Sequence, residues 1–497
     1  MFHFVRNLAY IGTKFAFYQF QRQAKNPKKT FDELWDKNFK FLKNSPFWSE
    51  KIKPDLDQMP ITTYSDYKDK LEESLKLGRN LLNGEDVLFW AQSAGTTGKR
   101  KLFPLTKTYQ SQFQKVTPVF VHNIIRTKKS FLKDPALYLA SASMDEYSEK
   151  GTEIGFISYF NYKTIPGLLQ KKYVWPSSLL ENKEKFYHFK IHYVLSKNIG
   201  AIFSVTPLSI LELKKEIDLR WRDVLQDLRA QDSPWQVSTK WLIHLEKTLS
   251  RPSWTFKELF PHLDFICCWK SSLCHYQLQE LKPLLGDVDC LDAIYSATEG
   301  WVNVPLDGDI GGPYHPGSHI VEFIKVGEEI IKENLLKPWE LEIGQDYEVF
   351  FTTAMGMIRY RLFDIVHCKG FYYQTPILYF KSKEGSQISL GLVTVGEDEL
   401  VAAVSMSGMT LNPKTKFAPA KGEMGLVFYT DDPESVTEEQ IKKIHQTLKE
   451  QNINYKIYAD KNQLKEIQVA RWPKDYQHIL HAQTKPRIIL QTSPERD

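Results

Sequence analysis

Four short apolar runs, at residues 136–141, 202–205, 265–269 and 349–353, alternate with longer stretches whose apolar residues recur every three or four positions, as over 210–228 and 238–249. The runs are strand-length and the stretches between them are helix-length. A chain that alternates the two in this way reads as an α/β body, in which helices cover the faces of a sheet. At 497 residues it is also too long for one core, since cores stop growing at roughly 250–300 residues. At least two domains are therefore expected. The second is legible behind Lys381-Ser382-Lys383-Glu384-Gly385-Ser386, a polar stretch that follows an aromatic strand at 377–380 and reads as a linker. Beyond it, Thr437-Glu438-Glu439-Gln440 has the pattern of a capping box, and Ile441, Ile444 and Leu448 share the helical face that follows. Strand-like segments at 425–429 and 464–469 flank that helix. The reading is a large domain over 1–382, a hinge at 383–386 and a small α+β domain over 387–497.

Composition narrows the function classes. Hydrophobic residues at 42% and charged residues at 25% suit a folded globular chain and exclude a disordered one. Lys+Arg at 65 against Asp+Glu at 60 leaves +5, too weak an excess to argue for a nucleic-acid partner. Five cysteines form an odd, sparse set, no disulfide framework, and fit a reducing cytoplasm. Cys267, Cys268, Cys274 and His275 lie close enough to suggest a metal site, but no CxxC pair accompanies them. The same residues also read as a buried strand, Phe265-Ile266-Cys267-Cys268-Trp269. No run of about 18 apolar residues marks a membrane-spanning helix, and the N-terminal segment lacks the apolar region and cleavage site of a signal peptide. Phe4, Leu8, Ile11, Phe15 and Tyr18 recur at helical spacing, as a helix packed on the domain would require. A membrane-surface helix is the alternative.

Three segments carry chemistry. Walker A, GxSxG, HExxH and GxGxxG patterns are absent. The segment Gln92-Ser93-Ala94-Gly95-Thr96-Thr97-Gly98-Lys99-Arg100-Lys101 instead combines two glycines, hydroxyls and three cations. Gly95 and Gly98 would let backbone amides approach an anion closely. A solvated turn accounts for the same composition. Tyr295-Ser296-Ala297-Thr298-Glu299-Gly300 places a ring, hydroxyls and a carboxylate together behind a strand-like run at 291–294. Taken alone it reads as a surface turn. In Tyr360-Arg361-Leu362-Phe363-Asp364-Ile365-Val366 an aspartate sits among apolar residues and needs a polar partner, for which Arg361 is the nearest candidate.

In this order the three segments resemble those of the adenylate-forming superfamily, and most of all the auxin-responsive Gretchen Hagen family of acyl acid–amido synthetases. That family carries Ser-Ser-Gly-Thr-Thr with a downstream lysine, then Tyr-x-Ser-Ser-Glu, then Tyr-Arg-x-Gly-Asp. Trp269, Tyr276, Glu299-Gly300-Trp301 and the Leu448, Asn452, Tyr455 spacing agree as well, so the resemblance covers roughly residues 28–490. It implies a large N-terminal adenylate-forming domain with mixed sheets and a mobile C-terminal lid. It also implies that Ser93, Thr96, Thr97 and Lys101 hold the β- and γ-phosphates of ATP, with Gly95 and Gly98 in the same loop. Tyr295 would pack on adenine, Thr298 would donate to the α-phosphate, and Glu299 would hold Mg²⁺. Asp364 would accept the ribose hydroxyls, with Arg361 beside it. Lys485 resembles the mobile lysine that reaches the α-phosphate. Three departures stand out: Ala94 for the second serine, Phe363 for the glycine before Asp364, and Lys485 directly against Pro486.

The activity so implied is ATP-dependent activation of a carboxylic acid as an acyl-adenylate, followed by transfer to an amine such as an amino acid. Joining a carboxylate to a phosphate brings two anions together, so a cation, loop amides and a lysine must cancel the repulsion. Water must be excluded from the mixed anhydride, which a closing lid achieves. An acyl-CoA ligase and a non-catalytic nucleotide-binding module remain alternatives, because a fold does not by itself set the reaction.

Overall fold

The computed structural model describes residues 2–93, 101–128, 130–165, 167–353, 355–390, 393–409, 414–421, 424–473, 488–490 and 494. The chain forms two compact units, the first of Met1–Ser93, Leu102–Leu362 and Val366–Phe380, the second of Ala94–Lys101, Phe363–Ile365 and Lys381–Asp497.

The first unit holds a parallel four-stranded sheet in the order Ala136–Tyr138, Ala201–Phe203, Phe265–Cys268, Asp289–Asp292. Helices Pro207–Arg229, Thr239–Leu249 and Leu273–Leu285 fall between successive strands, which is the crossover arrangement that parallel pairing demands. Phe265–Cys268 is buried along its whole length, so Cys267 and Cys268 belong to a strand covered on both faces. A second sheet pairs Phe89–Gln92 antiparallel to Leu102–Leu105 and parallel to Glu153–Gly155. A third runs in the order Ile320–Lys325, Asp346–Thr352, Tyr360–Tyr372, Thr375–Lys383, Gly312–Pro313. Two glycines make the last pairing possible. A Cβ on Gly311 would lie 2.4 Å from the Leu378 carbonyl oxygen, and one on Gly312 would lie 2.3 Å from that of Val304.

The second unit contains the sheet Lys416–Pro419, Leu426–Thr430, Gln468–Arg471 and the helices Glu397–Met406, Glu438–Gln451 and Ile453–Asp460. The capping box read from the sequence forms: Thr437 Oγ1 accepts from Gln440 N (3.2 Å), and the Gln440 side chain accepts from Thr437 N (2.9 Å). Ile444 and Leu448 are buried. Asn452 ends that helix and starts the next, its Oδ1 accepting from Tyr455 N (2.9 Å). The Leu448–Asn452–Tyr455 spacing is thus two buried anchors around a cap.

Two expectations are corrected. Lys381–Lys383 are not linker but the end of strand Thr375–Lys383, because Glu384 N still donates to Phe363 O (2.8 Å). Only then does the chain turn, with Ser386 N on Lys383 O (2.9 Å) and Gly385 at φ +74°. In the N-terminal helix Phe2–Lys25, Leu8, Ile11, Phe15 and Tyr18 face solvent rather than the domain. The helix carries a second apolar face, and that one has better partners. Phe20 stacks on His315 and Tyr372, and Tyr10 and Phe17 pack on His122.

The third sheet is tied to the N-terminal part of the first unit by a buried charge network. Arg359 and Glu322, each 1% exposed, pair through Nε–Oε2 (2.9 Å) and Nη2–Oε1 (2.8 Å). Arg359 also reaches the Met59 carbonyl oxygen (2.9 Å) and the Asp57 carboxylate (2.8 Å). Lys337 bridges Glu322 (2.6 Å) and Asp57 (2.7 Å) from the other side. Removing one partner of such a buried pair strands the other charge, at a cost of about 3–5 kcal/mol. Glu322→Ala is expected to lower unfolding stability by about that amount, read from urea denaturation midpoints. A loss below about 1 kcal/mol would mean the pair is dispensable.

Candidate active site

Strand Asp289–Asp292 delivers the chain to the central motif. Asp292 is buried at its end and accepts three backbone N–H groups, from Lys270 (3.0 Å), Ala293 (3.0 Å) and Gly311 (2.6 Å). Burial pushes its carboxyl up to about 6, against the pull of those donors. Next, Tyr295 N donates to Asn303 Oδ1 (2.9 Å), whose Nδ2 donates to Leu378 O (2.6 Å). Ala297 and Gly300 exchange backbone hydrogen bonds of 2.8 and 3.3 Å, which makes Thr298 and Glu299 the tip of a tight loop. A Cβ on Gly300 would meet His319 Nε2 at 2.8 Å, so the loop closes only with glycine there.

This loop is not a surface turn. Tyr295 and Glu299 are each 7% exposed. The Tyr295 ring packs on Phe380, with centroids 5.5 Å apart. The Tyr109 hydroxyl donates to the Thr298 carbonyl oxygen (3.0 Å), and the Tyr360 hydroxyl hydrogen-bonds the Glu299 carboxylate. Burial first, and then the negative charge of Glu299, hold the phenols of Tyr109 and Tyr360 far above the usual range, and Tyr64 is raised in the same direction. All three phenols therefore stay neutral, with Tyr360 donating to the carboxylate itself, Tyr109 to the Thr298 carbonyl oxygen and Tyr64 to that of Leu102. Behind the loop lie His315 and His319, whose imidazoles burial drives down to about 3. Both remain uncharged, and the Lys115 ammonium pushes them the same way.

Among the other sequence candidates, Ser93 follows strand Phe89–Gln92 and Lys101 precedes strand Leu102–Leu105; both are half-buried. Gly95, Thr96, Thr97, Gly98 and Lys485 lie outside the described residues. The Arg361 guanidinium clasps Glu348 through two contacts of 2.6 and 3.0 Å. Asp364, 4% exposed, pairs with Lys383. Phe363 sits at φ +60°. That is the left-handed region, which costs an L-residue roughly 1–2 kcal/mol and suits the glycine it replaces.

The structure thus brings Tyr295, Thr298 and Glu299 together on one loop and surrounds them with Tyr64, Tyr109 and Tyr360. Tyr360 stood inside a quoted motif, but Tyr64 and Tyr109 carry no local signal. Each follows a helix-capping threonine, Thr63 or Thr106, as many tyrosines could.

The GH3 family N-terminal domain matches residues 37–290 and the GH3 family central domain residues 312–383. The first match alone covers about half of the chain. The chain belongs to the GH3 family, the Gretchen Hagen family that its motifs resemble. Jasmonoyl-L-amino acid synthetase JAR6 of Nicotiana attenuata is 30% identical over 163 residues, which is 31% of this chain and 28% of that enzyme. That stretch is under a third of the relative's length. The 4-substituted benzoates-glutamate ligase GH3.12 of Arabidopsis thaliana is 21% identical over 391 residues, 71% of this chain and 67% of the relative. In three dimensions the GH3.15 acyl acid amido synthetase superposes with a TM-score of 0.80 at 17% identity, over 96% of this chain and 94% of that one. The fold is therefore that of a GH3 acyl acid amido synthetase, a large N-terminal domain followed by a smaller C-terminal one.

Tyr360→Phe deletes a donor to the buried Glu299 side chain. The expected loss is about 1.5–3 kcal/mol of stability, measured by chemical denaturation. An unchanged midpoint would show that the remaining neighbours satisfy Glu299 alone.

Proposed function

We propose that this GH3-family chain is an ATP-dependent ligase that activates a carboxylic acid as an acyl-adenylate, with release of pyrophosphate, and transfers the acyl group to an amine, an amino acid by preference. The observation that carries the reading is the buried carboxylate of Glu299 at the tip of the Tyr295–Gly300 loop, ringed by neutral phenols.

Magnesium suits that donor set. It takes one or two carboxylates and fills its remaining sites with phosphate oxygens and water, and a single acidic side chain facing a nucleotide supplies that. Glu299 would hold it, and the ion would screen the negative charge of the phosphates when bound. The chain's own residues do the rest. Ser93, Gly95, Thr96, Thr97, Gly98 and Lys101 would cradle the β- and γ-phosphates. Tyr295, braced on Phe380, would present a ring to adenine. Thr298 would donate to the α-phosphate. Asp364 would accept the ribose hydroxyls, sharing its lone pairs with the Lys383 ammonium. Arg361, which clasps Glu348, would stand beside the ribose and phosphate. Lys485, carried by the small domain over 387–497 and swung about 383–386, would neutralise the α-phosphate only with the lid shut. The relatives act on jasmonoyl, indole-3-acetic acid and benzoate substrates, so a planar or cyclic acid of that size is the first class to test. All five cysteines are free thiols, which favours a cytoplasmic setting.

ATP–pyrophosphate exchange against a panel of carboxylic acids tests the whole reading. Wild type is expected to exchange with at least one acid, and Glu299→Ala to abolish exchange while its unfolding midpoint stays measurable. Exchange unaffected by Glu299→Ala would remove the metal role. Tight ATP binding with no exchange from any acid would favour the nucleotide-binding module, and thioester formation with CoA would favour the acyl-CoA ligase.

Lys485→Ala separates the half-reactions. In single-turnover experiments it is expected to slow adenylate formation by two orders of magnitude or more, on the scale of removing one charge-stabilising group. The reaction of presynthesised acyl-adenylate with amine should stay within about twofold, because the lysine serves only the first step. Equal losses in both steps would point to a damaged small domain, and no loss in either to a different lysine.

A further inference from the structure

The N-terminal helix Phe2–Lys25 has two apolar faces, and the fold uses one. Tyr10, Phe17 and Phe20 pack inward on His122, His315 and Tyr372. On the opposite side Leu8 is 59% exposed, Ile11 67%, Phe15 76% and Tyr18 60%. At about 100° per residue these four fall within an arc of roughly 80°, a continuous stripe about three turns long. Single exposed apolar residues need no explanation, but a contiguous apolar face marks an interaction site.

The charges say which kind. The helix contains no Asp or Glu, and its exposed cations are Lys14, Arg22 and Lys25. Lys14 and Lys25 project along one edge of the stripe and Arg22 continues it past Tyr18, by the same helical spacing. Lys14 Nζ lies 5.7 Å from the centroid of the Tyr18 ring. At the C-terminal end Lys25 sits 4.9 Å from the ring of Tyr373, which is half exposed. Tyr373 is held beside the helix by the bond from Gln374 N to Ala24 O (3.0 Å). Lys28 and Lys29 follow at the start of the next helix, both exposed. A stripe of Leu, Ile, Phe and Tyr bordered only by cations and neutral polar residues is the composition of a helix lying in a lipid interface. Tyr18 suits the boundary between apolar and wet layers. A self-pairing surface would bring the Lys and Arg rows of two copies together with no acidic residue on the helix to answer them.

We propose that the solvent-facing side of this helix docks the protein reversibly on an anionic lipid surface, with Leu8, Ile11, Phe15 and Tyr18 entering the interface and Lys14, Arg22 and Lys25 meeting the headgroups. No helix among the described residues is long and apolar enough to cross a membrane, so the attachment is peripheral. It is independent of the reaction proposed above.

The test is flotation of the full chain with vesicles of phosphatidylcholine containing about one third phosphatidylserine, beside vesicles of phosphatidylcholine alone, at low and high salt. Wild type is expected to float with the anionic vesicles, to float several-fold less with the neutral ones, and to be released in part at about 0.5 M salt. Ile11→Glu/Phe15→Glu is expected to cut binding at least tenfold. Lys14→Gln/Arg22→Gln/Lys25→Gln, which leaves the apolar stripe intact, should erase the preference for anionic vesicles. In Phe15→Trp, tryptophan emission should shift to shorter wavelength when those vesicles are added. Absence of wild-type flotation, or binding unchanged by Ile11→Glu/Phe15→Glu, overturns the proposal. So does sedimentation showing a wild-type dimer that the same double variant converts to monomer, which would assign the face to a second copy.

Discussion

The pairing of Arg359 with Glu322 is the contact on which the rest of the first unit is hung. Neither charge reaches water, and each is satisfied by more than one partner. Such a network is poor evidence for stability in itself, since desolvation consumes most of the Coulombic gain. What it supplies is position. Thr62 N donates to Arg359 O (3.0 Å), and Arg361 N to Thr62 O (2.8 Å), so the chain entering from residue 57 lies against the start of strand Tyr360–Tyr372 in one register. Trp48 and Asn80 add bonds to the carbonyl oxygens of Gly356 (2.6 Å) and Met355 (2.8 Å). Arg359 itself is held at φ +46°, a backbone position that is strained for arginine and that its side-chain contacts maintain.

That register has a chemical consequence. Tyr360 is next to Arg359, and its hydroxyl is the donor that meets Glu299. Tyr64, two residues past Thr62, is likewise placed close enough to feel the same carboxylate. A slip of one residue in the strand would send Tyr360 to the other face and leave Glu299 short of a donor. Charged structural contacts in the core thus set the geometry of an acidic site that they never touch. Two neutral histidines lie behind the loop, since burial first, and then the Lys115 charge, deny them a proton.

The departures from the family pattern have physical readings too. Phe363 occupies a left-handed backbone position that glycine takes without cost. The strand keeps the bend and accepts the strain. Next to it, Lys383 engages Asp364.

Much of the architecture was legible in the sequence. The apolar runs at 136–141, 202–205, 265–269 and 349–353 each overlap a strand. The box at Thr437–Gln440 caps the helix it announces. Local signals of this kind survive because period and capping are properties of neighbouring residues. The three motifs likewise singled out Tyr295, Thr298, Glu299 and Asp364 as candidates before any geometry. The partners were not legible. That Asp364 pairs with Lys383 and Arg361 with Glu348, that Tyr64 and Tyr109 stand by Glu299, and that Phe20 rather than Phe15 packs inward are outcomes of contacts between residues far apart in the chain. An amphipathic period says that a helix has a face to bury, and two apolar faces satisfy it equally. The choice between them was made by the rings of His122, His315 and Tyr372, which only the tertiary structure brings to the helix.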